Sequence, residues 1–234
     1  MRRFYKKVEK VKTDDGWKIF LDDKSIKTPS RQNLALPTIE LAENIVLEWE
    51  VQGSEIDPLS MPLTGYAYSA IDRTEPMKNK LIEEICAYAQ SDVLCYRVEN
   101  PKDLAVRQET EWQPILDWIS GSRGINLRVT TGIKQVKQEP GVLELVKCNV
   151  SSFDQFQLTG LHATTIGSGS IVLGLALIDR FIDFKKTQEL SSLEELYQME
   201  KWGRDIETIQ RHDALRQEIY NAGRFMELVK PDAL

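Results

Sequence analysis

The side chains of this 234-residue chain that could move a proton are two histidines, His162 and His212, and the acidic pairs Glu83–Glu84, Glu109 with Glu111, and Glu194–Glu195. A carboxylate dyad does acid–base work only when its members are held at a set separation, and neighbouring acids on a helix usually make a solvated face. His162 follows Leu158 and Leu161 in an apolar stretch, the setting of a satisfied core histidine rather than of a base. Gly167-Ser168-Gly169-Ser170 resembles a phosphate loop, but it lacks the Gly-Lys-Ser/Thr ending and a preceding strand. It reads as a helix break or a close packing contact. Cys86, Cys95 and Cys148 form no CxxC pair and are odd in number, which points to a reducing compartment and away from structural zinc; no metal or cofactor is expected. One chemical alternative has a residue set: a small-molecule hydrolase or transferase using Glu194 or Glu200, with Arg107 or Arg204 holding an anionic substrate.

A binding surface is the better reading of the same acids. Across Ser191–Gly203, Leu193, Leu196 and Tyr197 share one helical face, while Glu195, Met199 and Trp202 follow an i, i+4, i+7 spacing on the other. An acid beside a Met and a Trp is a composition suited to gripping another protein. The competing reading is structural. Ser191-x-x-Glu194 and Ser192-x-x-Glu195 both have capping-box spacing, and Trp202 before Gly203 could close the last turn of a core helix. A second cluster, Arg107, Gln108, Glu111, Trp112, Asp117 and Trp118, shares a helix with the apolar anchors Leu104, Ile115 and Ile119. Trp112 and Trp118 are six apart and so face different ways, one to a core and one to a partner. The candidate partner-binding residues are Glu194, Glu195, Gln198, Met199, Trp202 and Trp112.

These residues need elements to hold them. Strands are expected at Phe4–Val11, Trp17–Leu21 and Ser25–Lys27, separated by the turns Asp14-Asp15-Gly16 and Asp22-Asp23-Lys24, with a further short strand at Leu34–Leu36. Thr38 caps a helix to Val51 whose inner side carries Ile39, Ala42, Ile45, Val46 and Trp49. Helical patterns then fall at 64–72, 77–89, 104–120, 141–149, 154–168, 170–182, 193–202 and 205–225. Two β-rich interruptions, 93–98 and 126–131, pair with the N-terminal sheet or with each other. The fold class is therefore α+β: a small β-rich N-terminal domain with one helix, residues 1–60, followed by a larger, mostly α-helical C-terminal domain, residues 61–234.

Composition narrows the function. Thirty basic against 36 acidic side chains, a net charge of −6, argue against nucleic-acid binding, which needs phosphate neutralisation. The basic N-terminus alternates with Phe4, Tyr5, Val8 and Val11, as in an edge strand guarded by lysines. The most apolar stretch, Ile166–Ile178, is broken by Gly167, Gly169 and Gly174 and is too short to span a bilayer. No secretory signal or transit peptide is visible, in keeping with the reducing compartment that the cysteines suggest.

Ordered motifs run through nearly the whole chain. They begin with Arg3-Phe4-Tyr5-Lys6, Leu21-Asp22 and Lys27-Thr28-Pro29, then Glu48-Trp49-x-x-Gln52-Gly53, Ile56-Asp57-Pro58-x-x-Met61-Pro62-Leu63-Thr64 and Ala70-Ile71-Asp72-Arg73. They continue with Tyr88-x-x-Ser91-Asp92-x-Leu94-Cys95-Tyr96-Arg97, Arg107-Gln108-x-x-x-Trp112-x-Pro114-x-Leu116-Asp117-Trp118, Leu158-Thr159-x-Leu161-His162 and Leu193-Glu194-Glu195-x-Tyr197-Gln198-x-x-x-Trp202-Gly203. In this order they resemble the assembly chaperones of the ATP synthase F(1) head that handle its α subunit. The resemblance implies a β-containing N-terminal region, a helical C-terminal region and a non-enzymatic role, in the cytoplasm for a bacterial member or in the mitochondrial matrix for a processed eukaryotic one, and a monomer is expected. That role is to hold the unassembled α subunit until the β subunit replaces the chaperone, with Glu194 and Glu195 at the client contact. Two places differ from the family pattern: Asp22-Asp23-Lys24 stands where Asp-Gly-Arg is usual, and Asp205-Ile206-Glu207-Thr208 lacks the extra aromatic of eukaryotic members.

Overall fold

The computed structural model describes residues 1–132, 134, 136–203 and 206–230, and of residues 206–212 the backbone alone. Three antiparallel strands open the chain: β1 (Val8–Thr13), β2 (Gly16–Leu21) and β3 (Lys24–Ser25), in the order β1-β2-β3. Gly16 turns β1 into β2 at φ +130°, and a Cβ there would stand 2.5 Å from the Leu36 carbonyl oxygen, so only glycine fits. β1 starts at Val8 rather than at Phe4 because the preceding residues have other partners. The Arg3 amide donates to Ser54 O at 2.9 Å, and the Lys6 and Lys7 amides donate to the Asp22 carboxylate at 3.1 and 2.9 Å. Leu34–Leu36 supplies only an isolated bridge, Trp17 to Leu36.

Helix α1 (Ile39–Glu50) begins where expected, the Thr38 side chain accepting from the Leu41 amide. It buries Leu41, Ala42, Ile45 and Trp49, while Ile39 and Val46 are only partly covered. Next, α2 (Pro62–Ser69) has no capping side chain of its own at Met61. Glu48, on α1, caps it from outside: its carboxylate accepts from the Leu63 amide at 2.7 Å and the Thr64 amide at 2.8 Å. A π turn, Ala70–Thr74, follows, and Thr74 bonds the Thr159 hydroxyl at 2.7 Å. The strands, α1 and α2 surround one core with Ile19, Leu36, Leu41, Ile45 and Leu63, which Phe156 and Phe225 complete.

The remaining helices are α3 (Lys78–Ala87), α4 (Lys102–Arg123), α5 (Pro140–Ser151), α6 (Gln155–Ser168), α7 (Ile171–Ile178), α8 (Phe184–Ser191), α9 (Leu193–Trp202) and α10 (Ile206–Val229). The α+β class stands. Helix α8 is absent from the sequence pattern; it is short, and its signal is Asp183, whose carboxylate caps the Lys186 amide. The two β-rich interruptions reduce to β4 (Tyr96–Arg97) and β5 (Thr130–Thr131), and these pair with each other, in parallel. Every residue of α7 is buried, so the glycine-broken stretch is core packing: a Cβ on Gly174 would lie 2.7 Å from Leu161 Cδ1.

Contacts divide the chain into two compact units. One comprises residues 1–78, 154–160 and 224–234, the other 79–153 and 161–223. The strands give way to helix at Ile39, inside the first of these units. Helix α2 belongs with the strands, as do the first turns of α6 and the end of α10.

Candidate protein-binding site

Helix α4 carries a row of polar side chains that seat α9. The Tyr197 hydroxyl donates to Asp103 Oδ1 at 2.7 Å and Lys201 Nζ lies 2.9 Å from Asp103 Oδ2; these bonds hold the Asp103 carboxyl well below its usual pKa. Arg107 pairs with Glu200 at 2.9 Å. Gln108 is wholly buried and its amide is used at both ends, Nε2 donating to Glu194 Oε1 at 2.6 Å and Oε1 accepting from the Val98 amide at 2.8 Å. Its backbone carbonyl accepts from the Arg97 guanidinium, which stacks over the Trp112 ring at 5.1 Å.

This arrangement decides the role of each candidate. Neither capping box forms: Ser191 Oγ donates to Gln188 O, and Ser192 precedes α9 without a side-chain cap bond. Glu194 is a tether instead, and burial pushes its pKa up, opposed by the Gln108 bond and reinforced by Glu195. Trp112 is 1% exposed, with Nε1 donating to Leu190 O at 2.9 Å, so it supports the site from inside. Trp118 is the tryptophan nearer the surface, stacked on Phe181 at 4.7 Å. Trp202, by contrast, is 76% exposed and not a core residue. With exposed Gln198 and part-exposed Glu195 and Met199 it covers the outer side of α9. Among the described residues Glu195 has no hydrogen bond or ion pair. Arg204 and Asp205 lie outside the described residues, as do the side chains of Ile206, Glu207 and Thr208.

The features that suggested other chemistry have structural duties. Asp92, fully buried, accepts from Ser170 Oγ at 2.9 Å and from the Val172 amide at 3.1 Å, so a carboxylate already fills the N-terminus of α7 after the Gly-Ser-Gly-Ser segment. His162 is half-buried, with Nε2 3.5 Å from Glu84, and burial lowers its pKa. The duties of Asp92 and Asp103 are not legible in the sequence because their partners are 78 and 94 residues away, and that of Gln108 is hidden for the same reason, Glu194 lying 86 residues on.

The family described as ATP12 chaperone protein matches residues 2–120. A curated mitochondrial atp12 protein of Schizosaccharomyces pombe is 25% identical over 214 residues, 86% of this chain and 74% of that protein. The crystal structure of Atp12 from Paracoccus denitrificans superposes with a TM-score of 0.94 at 37% identity, covering 98% of both chains. A solved protein of Agrobacterium tumefaciens gives 0.91 at 30% identity, over 98% of this chain and 86% of that one. The fold and these matches define the class of protein as a chaperone. The chain belongs to the ATP12 chaperone family, a family of F(1) assembly chaperones.

Proposed function

We propose that this protein binds the unassembled F(1) α subunit, shields its apolar interface and releases it to the assembling hexamer without performing chemistry of its own. The observation that carries the reading is the outer side of α9, where Trp202 stands exposed beside Met199, Gln198 and Glu195 on a helix tied down by Asp103, Arg107 and Gln108. An unassembled subunit of an alternating ring exposes large apolar surfaces that aggregate. A preset face lowers the ordering cost of covering them. A partner displaced by the next subunit needs no nucleotide. No helix among the described residues is long and apolar enough to cross a membrane. In this reading the protein works on its client as a monomer in the cytoplasm or matrix.

The test is co-expression with the α subunit from the same source, followed by pull-down and a light-scattering assay of α aggregation. A stoichiometric complex that keeps α soluble without ATP, and that β subunit displaces, is the expected result. Free α aggregating at the same rate with and without the protein would refute the reading.

A further inference from the structure

A cleft opens between α4, α8 and α9, beside the outer side of α9. Leu190 and Leu193 form its floor with part-exposed Leu196, its walls carry Arg107, Lys186 and Glu189, and its volume is about 230 Å³. That is below the range of small-ligand pockets, roughly 300–1,000 Å³, and suits one large aliphatic side chain. On a helical wheel Leu193, Leu196 and Glu200 share a stripe, and Met199 lies between that stripe and Glu195 with Trp202. The leucine floor therefore runs on through Leu196 and Met199 to Trp202.

Two acids, Glu111 and Glu189, face two cations, Arg107 and Lys186, around the cleft, and Glu200 adds a further acid against Arg107. Both cations are already paired, Arg107 with Glu200 at 2.9 Å and Lys186 with Glu111 at 2.6 Å. Glu189 keeps only a 3.9 Å contact with Lys186, with 63% of its side chain exposed, and Glu195 has no partner among the described residues. An occupant that fills the floor meets the Glu189 carboxylate on α8, and a segment that runs on from it past Met199 meets Glu195 on the outer side of α9. Resting on the reading above that the client is the α subunit, we propose that this cleft is the anchor point. It takes an aliphatic side chain from a client segment whose neighbouring residues are lysine or arginine, and these pair with Glu189 and Glu195. A buried aliphatic anchor ringed by polar contacts is the usual form of an interface hot spot. Carboxylates at the rim select against acidic segments.

The experiment measures binding of the α subunit by the intact chaperone and by Leu196→Arg, which puts a cation into the floor, with Leu196→Met as the conservative control. Leu196→Arg is expected to weaken the complex about tenfold or more, and Leu196→Met to preserve it. Because Leu196→Arg could also disturb folding, a benzophenone side chain at rim position Glu189 supplies a second readout, with the cross-linked client segment mapped by mass spectrometry. An aliphatic residue flanked by lysine or arginine is expected at the cross-link. Unchanged affinity in a folded Leu196→Arg protein, or a cross-link to a segment without basic residues, overturns the cleft proposal while leaving α-subunit binding intact. Failure of the unaltered protein to bind α refutes the functional reading instead.

Discussion

Glu194 and Glu195 are neighbours with different duties, and charge reversal separates them. Glu195 is part-exposed and unpaired among the described residues, so Glu195→Lys is expected to change stability by no more than the small range of surface changes, about ±0.5 kcal/mol, while client protection is lost. Glu194 accepts from the buried Gln108 amide, so Glu194→Lys leaves that donor unpaired and sets an ammonium against it. A loss of about 1–3 kcal/mol is expected from the unpaired group alone. Thermal melts of both variants, read beside α-aggregation assays, check the pair. Equal destabilisation by the two changes would contradict the division of roles. Their near-identical sequence settings conceal it, since each has a serine at capping distance; what differs is that α4 places Gln108 opposite Glu194, while Glu195 has no partner among the described residues.

At the level of elements, two helices are capped from outside by carboxylates. Asp92 is buried at the start of α7, and burial pushes its pKa up to about 6 although four donors hold its charged form. An acid with a raised folded pKa stabilises the fold below its unfolded pKa, near 4, and that contribution disappears as pH rises through about 6. At about 1.4 kcal/mol per pKa unit the swing is ~3 kcal/mol. Urea unfolding between pH 4 and 7 should therefore show a component of declining stability that Asp92→Asn removes; parallel pH profiles for the two proteins would exclude it. Glu48 does the same service for α2, and Glu48→Ala should lower stability by about 0.5–2 kcal/mol through loss of a cap. Helix α1 also carries Trp49, 8% exposed, packed on Tyr5 with ring centroids 5.6 Å apart. Trp49→Arg would bury an unpaired cation in place of that packing, and a loss of more than about 3 kcal/mol, seen as insoluble or unfolded protein, is expected. A soluble, fully stable Trp49→Arg protein would overturn this core assignment.

For the whole molecule, a chaperone that works by covering a surface acts in proportion to its amount. Scattering from aggregating α subunit should fall linearly as chaperone is added and vanish at about one chaperone per α. Full protection at a small fraction of that ratio would mean turnover, and so a different mechanism. The net charge of −6 and the carboxylates around the cleft add a second expectation, that binding of a basic client segment weakens as salt is raised.

The sequence by itself determined the local signals. The Thr38 cap and apolar face defined α1, the glycine required at the β1–β2 turn marked the hairpin, the α9 bounds followed from its stripe, and motif order identified the family. Such features depend on neighbours within a few residues, where spacing and side-chain type suffice. Tertiary structure alone decided which tryptophan is buried and which exposed, why Glu194 and not Glu195 tethers α9 to α4, that β4 pairs with β5, and that Asp92 fills the helix end behind the Gly-Ser-Gly-Ser segment. Each depends on a partner far away in the chain, Leu190 for Trp112 and Ser170 for Asp92 among them. No periodicity records such a partner, because it is folding that brings the two groups within hydrogen-bonding distance.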